Sequence, residues 1–350
     1  MCLPGWGDEF VVLCPGVPTP MAAVRLAERL QALVSKPWIS QDYSITPSMS
    51  VGIASTDDPE VTVDELLRRA DLAMYAAKGS DERSITIYDN VIDAQVRRGV
   101  LIKRQLQSAI DGDLLKVNFQ PIVDLKSRDS IGFEALVRIR DFEGVWMAPI
   151  EFILVAESVG LIDQMGDLVL RRCLAVLKLT ENTAPDLVIS INISPLQVCR
   201  EGLAGRMIAI AERYEVDLGR LAVEVTESVL IDRPRTAINE LNTLRAVGCR
   251  VYLDDFGTGY SSMSWLSQLP IDAIKIDRSF TAGLLNHPRR RVVVDSMIRL
   301  SLDLGLNVIA EGVELEAQAE ALLAMGCLRG QGFLFGHPAP FPQPAELLVP

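Results

Sequence analysis

Eight short apolar runs follow one another between residues 113 and 345. They lie at 117–122, 131–139, 187–193, 221–225, 250–253, 273–276, 306–310 and 331–335. Amphipathic stretches with helical spacing separate most of them, at 164–178, 202–213, 235–247, 289–304 and 316–325. Strand and helix alternating eight times within about 250 residues is the pattern of a (β/α)8 barrel. The spacing therefore predicts an α/β chain with such a barrel over residues 113–345.

Ahead of the barrel, residues 1–90 read as a separate α/β piece. Strands are expected at 8–14, 45–55 and 84–88, and helices at 20–35 and 64–78. Residues 91–112 read as a connecting helix with one polar face.

Composition narrows the chemistry. The 350 residues are 49% hydrophobic and 23% charged, an ordinary globular balance. A net charge of -12 disfavours binding to nucleic-acid polymers or to anionic membrane surfaces. Six cysteines are scattered with no CxxC pair, so neither a zinc cluster nor a disulfide framework is signalled. Two histidines exclude a three-histidine zinc site and leave acid–base work to carboxylates or lysine. No apolar run is long enough for a membrane span, and no signal peptide opens the chain. The expected location is the cytoplasm.

A (β/α)8 barrel presents its functional groups at the carboxyl ends of its strands. The second run carries Glu134 and Arg138, and the third Asn192. The fourth carries Glu224 and then Glu227, and the fifth ends in Asp254-Asp255. Lys275 and Asp277 follow on the sixth, Glu311 and Glu314 on the seventh, and Gln331 opens the eighth. One acid after an apolar run is ordinarily a helix cap or a turn residue. Seven consecutive strands delivering polar groups to one rim exceed what capping explains. Glu134 stands out, because it interrupts an apolar run where a carboxylate must be paired, protonated or bound to metal. Glu134, Asn192, Glu224, Asp254 and Asp255 are all hard oxygen donors, a set suited to Mg2+ or Mn2+. Adjacent aspartates suit two neighbouring ions, which together can serve an in-line phosphoryl displacement.

The order of these motifs resembles the EAL phosphodiesterase family. Gln120-Pro121-Ile122 and Glu134-Ala135-Leu136-Val137-Arg138 are similar to its opening, and Asn192-Ile193-Ser194 to its asparagine motif. Glu224-Val225-Thr226-Glu227 resembles its ExTE motif, and Asp254 to Ser262 resembles its DDFGTGYSS loop. Lys275-Ile276-Asp277, Glu311-Gly312-Val313-Glu314 and Gln331-Gly332-Phe333 complete the series, over roughly residues 100–345.

The resemblance implies an EAL-type TIM-like barrel that hydrolyses cyclic di-GMP to linear pGpG with two Mg2+ or Mn2+ ions. Glu134, Asn192, Glu224 and Asp254 would hold the first ion, and Asp254 and Asp255 the second. Glu311 would reach the second ion directly or through water, and either Glu311 or a hydroxide between the ions would act as base. Lys275 would orient the attacking water or stabilise developing charge. Gln120, Arg138 and Gln331 would contact the nucleotide. Glu227 would brace the loop from Asp255 to Ser262, and the barrel would form a homodimer. A catalytically silent cyclic di-GMP sensor and a protein-interaction scaffold are the alternatives; the intact ligand set and Lys275 argue against the sensor, and the scaffold predicts no nucleotide affinity.

Residues 1–90 resemble the second half of a GGDEF, or diguanylate cyclase, domain. Trp6-Gly7-Asp8-Glu9-Phe10 is similar to its signature, with Trp6 in place of the first glycine. Ser50 to Ala54 and Ala70 to Lys78 resemble later parts of that domain. An indole where the signature turn needs glycine blocks close approach of guanine or phosphate. The resemblance thus implies a truncated, degenerate domain without cyclase activity.

Overall fold

The computed structural model describes all residues except 1, 5–9, 40–43, 46, 81–84, 228–233, 259–265, 267–268 and 342–350. Its contacts divide the chain into two units, Met1–Arg104 and Gln105–Pro350.

Among the described residues, the first unit holds three separate two-stranded sheets rather than one continuous sheet. β1 (Cys2–Pro4) pairs antiparallel with β2 (Phe10–Val12), and β3 (Trp38–Ile39) pairs likewise with β4 (Ser44–Ile45). β5 (Val51–Ile53) lies parallel to β6 (Ile85–Ile87), with the helix Val63–Ser80 between them in sequence. Gly52 is required there, because an added Cβ would lie 2.1 Å from the Ala70 carbonyl oxygen on that helix. The helix Pro20–Val34 starts where the Thr19 side chain accepts from the Ala22 N–H, with proline in its first turn. Among the described residues, the strand expectations at 8–14 and 45–55 shrink to the short elements above. The signature residues Trp6 to Glu9 lie outside the described residues. Phe10, which follows them, is 69% exposed on β2.

The second unit is a closed eight-stranded barrel. Its strands are β7 (Lys116–Asp124), β8 (Ser130–Arg138), β9 (Val188–Asn192), β10 (Leu221–Thr226), β11 (Arg250–Phe256), β12 (Ala273–Ile276), β13 (Asn307–Ala310) and β14 (Arg329–Gln331). The α/β barrel expected from the spacing is present, with one strand reversed. β7 runs antiparallel to both its neighbours, β8 and β14, and the other pairs are parallel. The reason is the connection. A parallel crossover needs a dozen or more residues, whereas residues 125–129 form a tight turn. Asp124 Oδ1 accepts from the N–H groups of Lys126 and Ser127 at 2.8 and 2.9 Å and folds the chain back.

β14 also differs from expectation. It covers Arg329–Gln331, so Gln331 closes the last strand instead of opening it. The chain leaves the sheet at Gly332, where a Cβ would lie 2.1 Å from the Val313 carbonyl oxygen.

Two-residue alternation along the strands organises the interior in levels. Ile122, Val188, Ala222, Tyr252, Ala273 and Ile309 form one buried apolar cluster. Two residues along β7, β10, β11 and β12 from members of that cluster stand Gln120, Glu224, Asp254 and Lys275. Outside the barrel, Val294 and Ile298 on the helix Pro288–Asp303, with Ala319 and Leu322 on Glu316–Ala324, cover Ile276, Val308 and Ala310. Fully burying each Leu, Ile or Val side chain contributes about 1.5–3 kcal/mol, and the apolar plug therefore holds the polar level above it in place.

Candidate active site

The polar level converges on one ammonium. Lys275 on β12 is wholly inaccessible to solvent. Its Nζ lies 2.7 Å from Glu224 Oε2, 2.7 Å from Glu311 Oε1, 3.3 Å from Glu134 Oε2 and 3.4 Å from Asp254 Oδ1. Burial disfavours that ammonium, yet Glu134, Glu224, Glu311 and Asp254 together raise its pKa well above the ordinary value. Four carboxylates around one cation leave the cluster short of positive charge.

The carboxylates respond differently. Burial pushes Glu134 up, but Lys275 and the amides of Gln331 and Asn192 outweigh it and hold the carboxyl below its usual value. Asn192 Nδ2 donates to Glu134 Oε1 at 2.8 Å, and Gln331 Nε2 donates to Glu134 Oε2 at 2.6 Å. Glu224 is raised well above the usual carboxylate range by burial and by Glu134, against the pull of Lys275. Glu311, just past β13, is pushed up to about 7, chiefly by burial. Asp255 is raised by burial and by the charges of Asp254 and Asp277.

A local irregularity brings the adjacent aspartates together. In a regular strand Asp254 and Asp255 would face opposite sides. The β11–β12 register instead shifts between Leu253 and Phe256, and Asp255 adopts φ +54°, a left-handed conformation. This bulge lets Asp254, Asp255 and Glu311 offer carboxylate oxygens within 4.8 Å of one another. Two buried oxygens of the cluster make no hydrogen bond among the described residues: Glu224 Oε1, and Asp254 Oδ1, whose contact is the ion pair to Lys275 at 3.4 Å. Oxygen donors that are crowded, undercompensated and partly orphaned are the chemistry of a site for hard divalent cations.

The other expected residues have distinct places. Gln120 on β7 accepts from Gln331 Nε2 at 3.1 Å and donates to the Gly336 carbonyl at 3.2 Å. Arg138 is half-buried at the end of β8, and its Nη1 donates to the Val137 carbonyl at 2.9 Å. Burial lowers its pKa while Glu134 opposes that shift. Arg138 makes no ion pair among the described residues, and its guanidinium does not join the ring. Glu227 also stands outside the ring. Its Oε1 accepts from the Gly257 N–H at 2.9 Å. Gly257 has φ +96°, and a Cβ there would lie 2.4 Å from Met297. Gly259 to Ser262 lie outside the described residues.

Three features were not anticipated. Ser190 is buried beside Glu134 in the β8–β9 register with a hydroxyl that makes no hydrogen bond among the described residues. Gln120 and Gln331 bond to each other, a link that strand positions alone do not signal. His337, in the loop after β14, stacks on Phe333 with ring centroids 4.1 Å apart.

Comparison with known proteins agrees with this architecture. The EAL domain matches residues 103–338, and the diguanylate cyclase, GGDEF domain matches residues 6–84. Protein y4lL of Sinorhizobium fredii is 35% identical over 343 residues, covering 98% of this chain and 41% of that protein. The bifunctional diguanylate cyclase/cyclic di-GMP phosphodiesterase MucR of Pseudomonas aeruginosa is 34% identical over 338 residues, covering 96% of this chain and 49% of MucR. The chain thus spans about half the length of these curated relatives. Among solved structures, the PaMucR phosphodiesterase in complex with c-di-GMP is 35% identical, with a TM-score of 0.66, over 71% of this chain and 99% of that one. No helix among the described residues is long and apolar enough to cross a membrane. The barrel, its ring of inward carboxylates and the match over residues 103–338 identify the chain as a member of the EAL domain family, preceded by a short GGDEF region.

Proposed function

We propose that the protein is a metal-dependent phosphodiesterase that opens cyclic di-GMP to linear pGpG. The observation that carries this reading is the inward ring of Glu134, Glu224, Asp254 and Glu311 around Lys275, with buried oxygens of Glu224 and Asp254 left without hydrogen bonds. The EAL family match and the c-di-GMP complex of the PaMucR phosphodiesterase supply the substrate class.

Glu134, Asn192, Glu224 and Asp254 would hold one Mg2+ or Mn2+, and Asp254, Asp255 and Glu311 a second. Such ions supply Lewis acidity toward the phosphodiester and lower the pKa of water. The chain's own residues do the rest. Lys275 brings a fixed positive charge to the same cluster and stabilises charge developing on phosphate oxygens. Arg138, which makes no ion pair among the described residues, offers a planar fork to a phosphate. Glu311 would act as the base toward an attacking water. Glu227 ties the backbone after Asp255 through Gly257 and so fixes where the second aspartate points. A homodimer formed through the barrel and a cytoplasmic location complete the reading.

The test is incubation of the protein with cyclic di-GMP and Mg2+ or Mn2+, with and without chelator, followed by chromatography of the products. The reading expects pGpG that disappears with chelator and with Glu134→Ala. Binding without turnover would make the barrel a sensor, and neither would leave a scaffold.

A further inference from the structure

Gln331 is expected from the resemblance to touch the nucleotide, but its donor is committed elsewhere. The side chain is 3% exposed. Nε2 donates to Glu134 Oε2 at 2.6 Å and to Gln120 Oε1 at 3.1 Å. Gln120 carries the link onward, donating to the Gly336 carbonyl at 3.2 Å. The loop beyond Gly336 is itself fastened to β7, where Phe119 and Ala339 exchange backbone hydrogen bonds. Glu134 therefore has Oε1 gripped by Asn192 and Oε2 by Gln331 at 2.6 Å, with Lys275 Nζ a longer 3.3 Å from that same oxygen, and two short amide bonds on two oxygens fix the plane of a carboxylate.

We propose that Gln331 is a positioning residue for Glu134, acting on metal capture, with Gln120 as its brace. The inference rests on the reading of Glu134 as a metal ligand. A bare carboxylate in a crowded anionic ring swings away from its neighbours, and each rotation lost before the ion arrives improves the ion's affinity. The donor is what matters, because Gln331 Oε1 hydrogen-bonds to nothing among the described residues.

The experiment is a calorimetric Mn2+ titration of the full chain, stripped of metal, as wild type, Gln331→Ala and Gln331→Met. Kinetics with cyclic di-GMP at saturating Mn2+ accompany it. Loss of an outer-shell partner of a metal ligand typically weakens metal binding about 10–100-fold, and that loss is expected in both variants. KM for cyclic di-GMP at saturating Mn2+ is expected to stay within about twofold, since uniform substrate binding is untouched. Unchanged Mn2+ affinity with a raised KM would make Gln331 a nucleotide contact and overturn the proposal. So would full affinity in Gln331→Met, which keeps the volume and removes the donor. Circular dichroism of the metal-free variants checks folding, and Gln120→Ala offers a milder break, expected to weaken Mn2+ in the same direction. A wild type that binds no Mn2+ defeats the metal reading itself. A wild type that binds, with Gln331→Ala binding equally, defeats only this inference.

Discussion

The Lys275 ammonium lies 2.7 Å from the Glu224 carboxylate in an interior where both side chains are closed to solvent. A buried pair of this kind adds little net stability by itself, because desolvating both charges is costly. Removing one partner is a different matter, since the other is left uncompensated.

Lys275→Ala is therefore expected to destabilise the metal-free protein by about 3–5 kcal/mol. Denaturant unfolding in chelator reads this directly. Divalent ions should recover much of the loss, because they supply the missing charge. The variant should keep metal and ligand and lose most turnover. Wild-type rates in Lys275→Ala would show that its role has been misassigned.

Glu311 gives a pH signature. Its carboxyl is pushed up to about 7 from an ordinary 4.5, so the folded state holds that proton more tightly than the unfolded chain. The stability it contributes is fully present below pH 4.5 and is lost as pH rises through about 7. Without metal, wild type should lose stability relative to Glu311→Gln across that window. With Mn2+ present the trend should reverse, because metal ligands bind in their ionised form. Parallel pH–stability curves for the two metal-free proteins would contradict the assignment.

Asp255 has a backbone role and a side-chain role that can be separated. Its φ of +54° suits glycine and asparagine and strains a β-branched residue. Asp255→Gly should fold as well as wild type and lose turnover. Asp255→Val should lose turnover and about 1–2 kcal/mol of stability as well. Thermal melts of the two variants distinguish strain from lost chemistry, and equal melting temperatures would remove the strain argument.

Calcium is expected to occupy the ring and support little hydrolysis. Ca2+ takes ligands at about 2.3–2.6 Å in loose geometry, against about 2.0–2.1 Å and octahedral order for Mg2+. Inhibition by Ca2+ in the presence of Mg2+ should be competitive with the metal. Equal turnover with either ion would count against the account.

Much of the site was legible in the sequence, for a specific reason. A carboxylate such as Glu134 inside an apolar strand has few inexpensive explanations, and seven strands repeating the signal point to one rim. The reversal of β7 was not anticipated, although residues 125–129 are too few for a crossover and that length was itself a signal. Side-chain alternation would set Asp254 and Asp255 on opposite faces, and only the register shift against β12 brings them together. The grip of Gln331 on Glu134 joins residues far apart in the chain, and local pattern carries no trace of it.

The most direct measurement is anomalous diffraction from crystals grown with Mn2+. The account predicts two manganese peaks inside the barrel mouth, one among Glu134, Asn192, Glu224 and Asp254 and one beside Asp255 and Glu311. Crystals with no manganese at these carboxylates, and with Lys275 still holding Glu224 and Glu311 at saturating Mn2+, would contradict it.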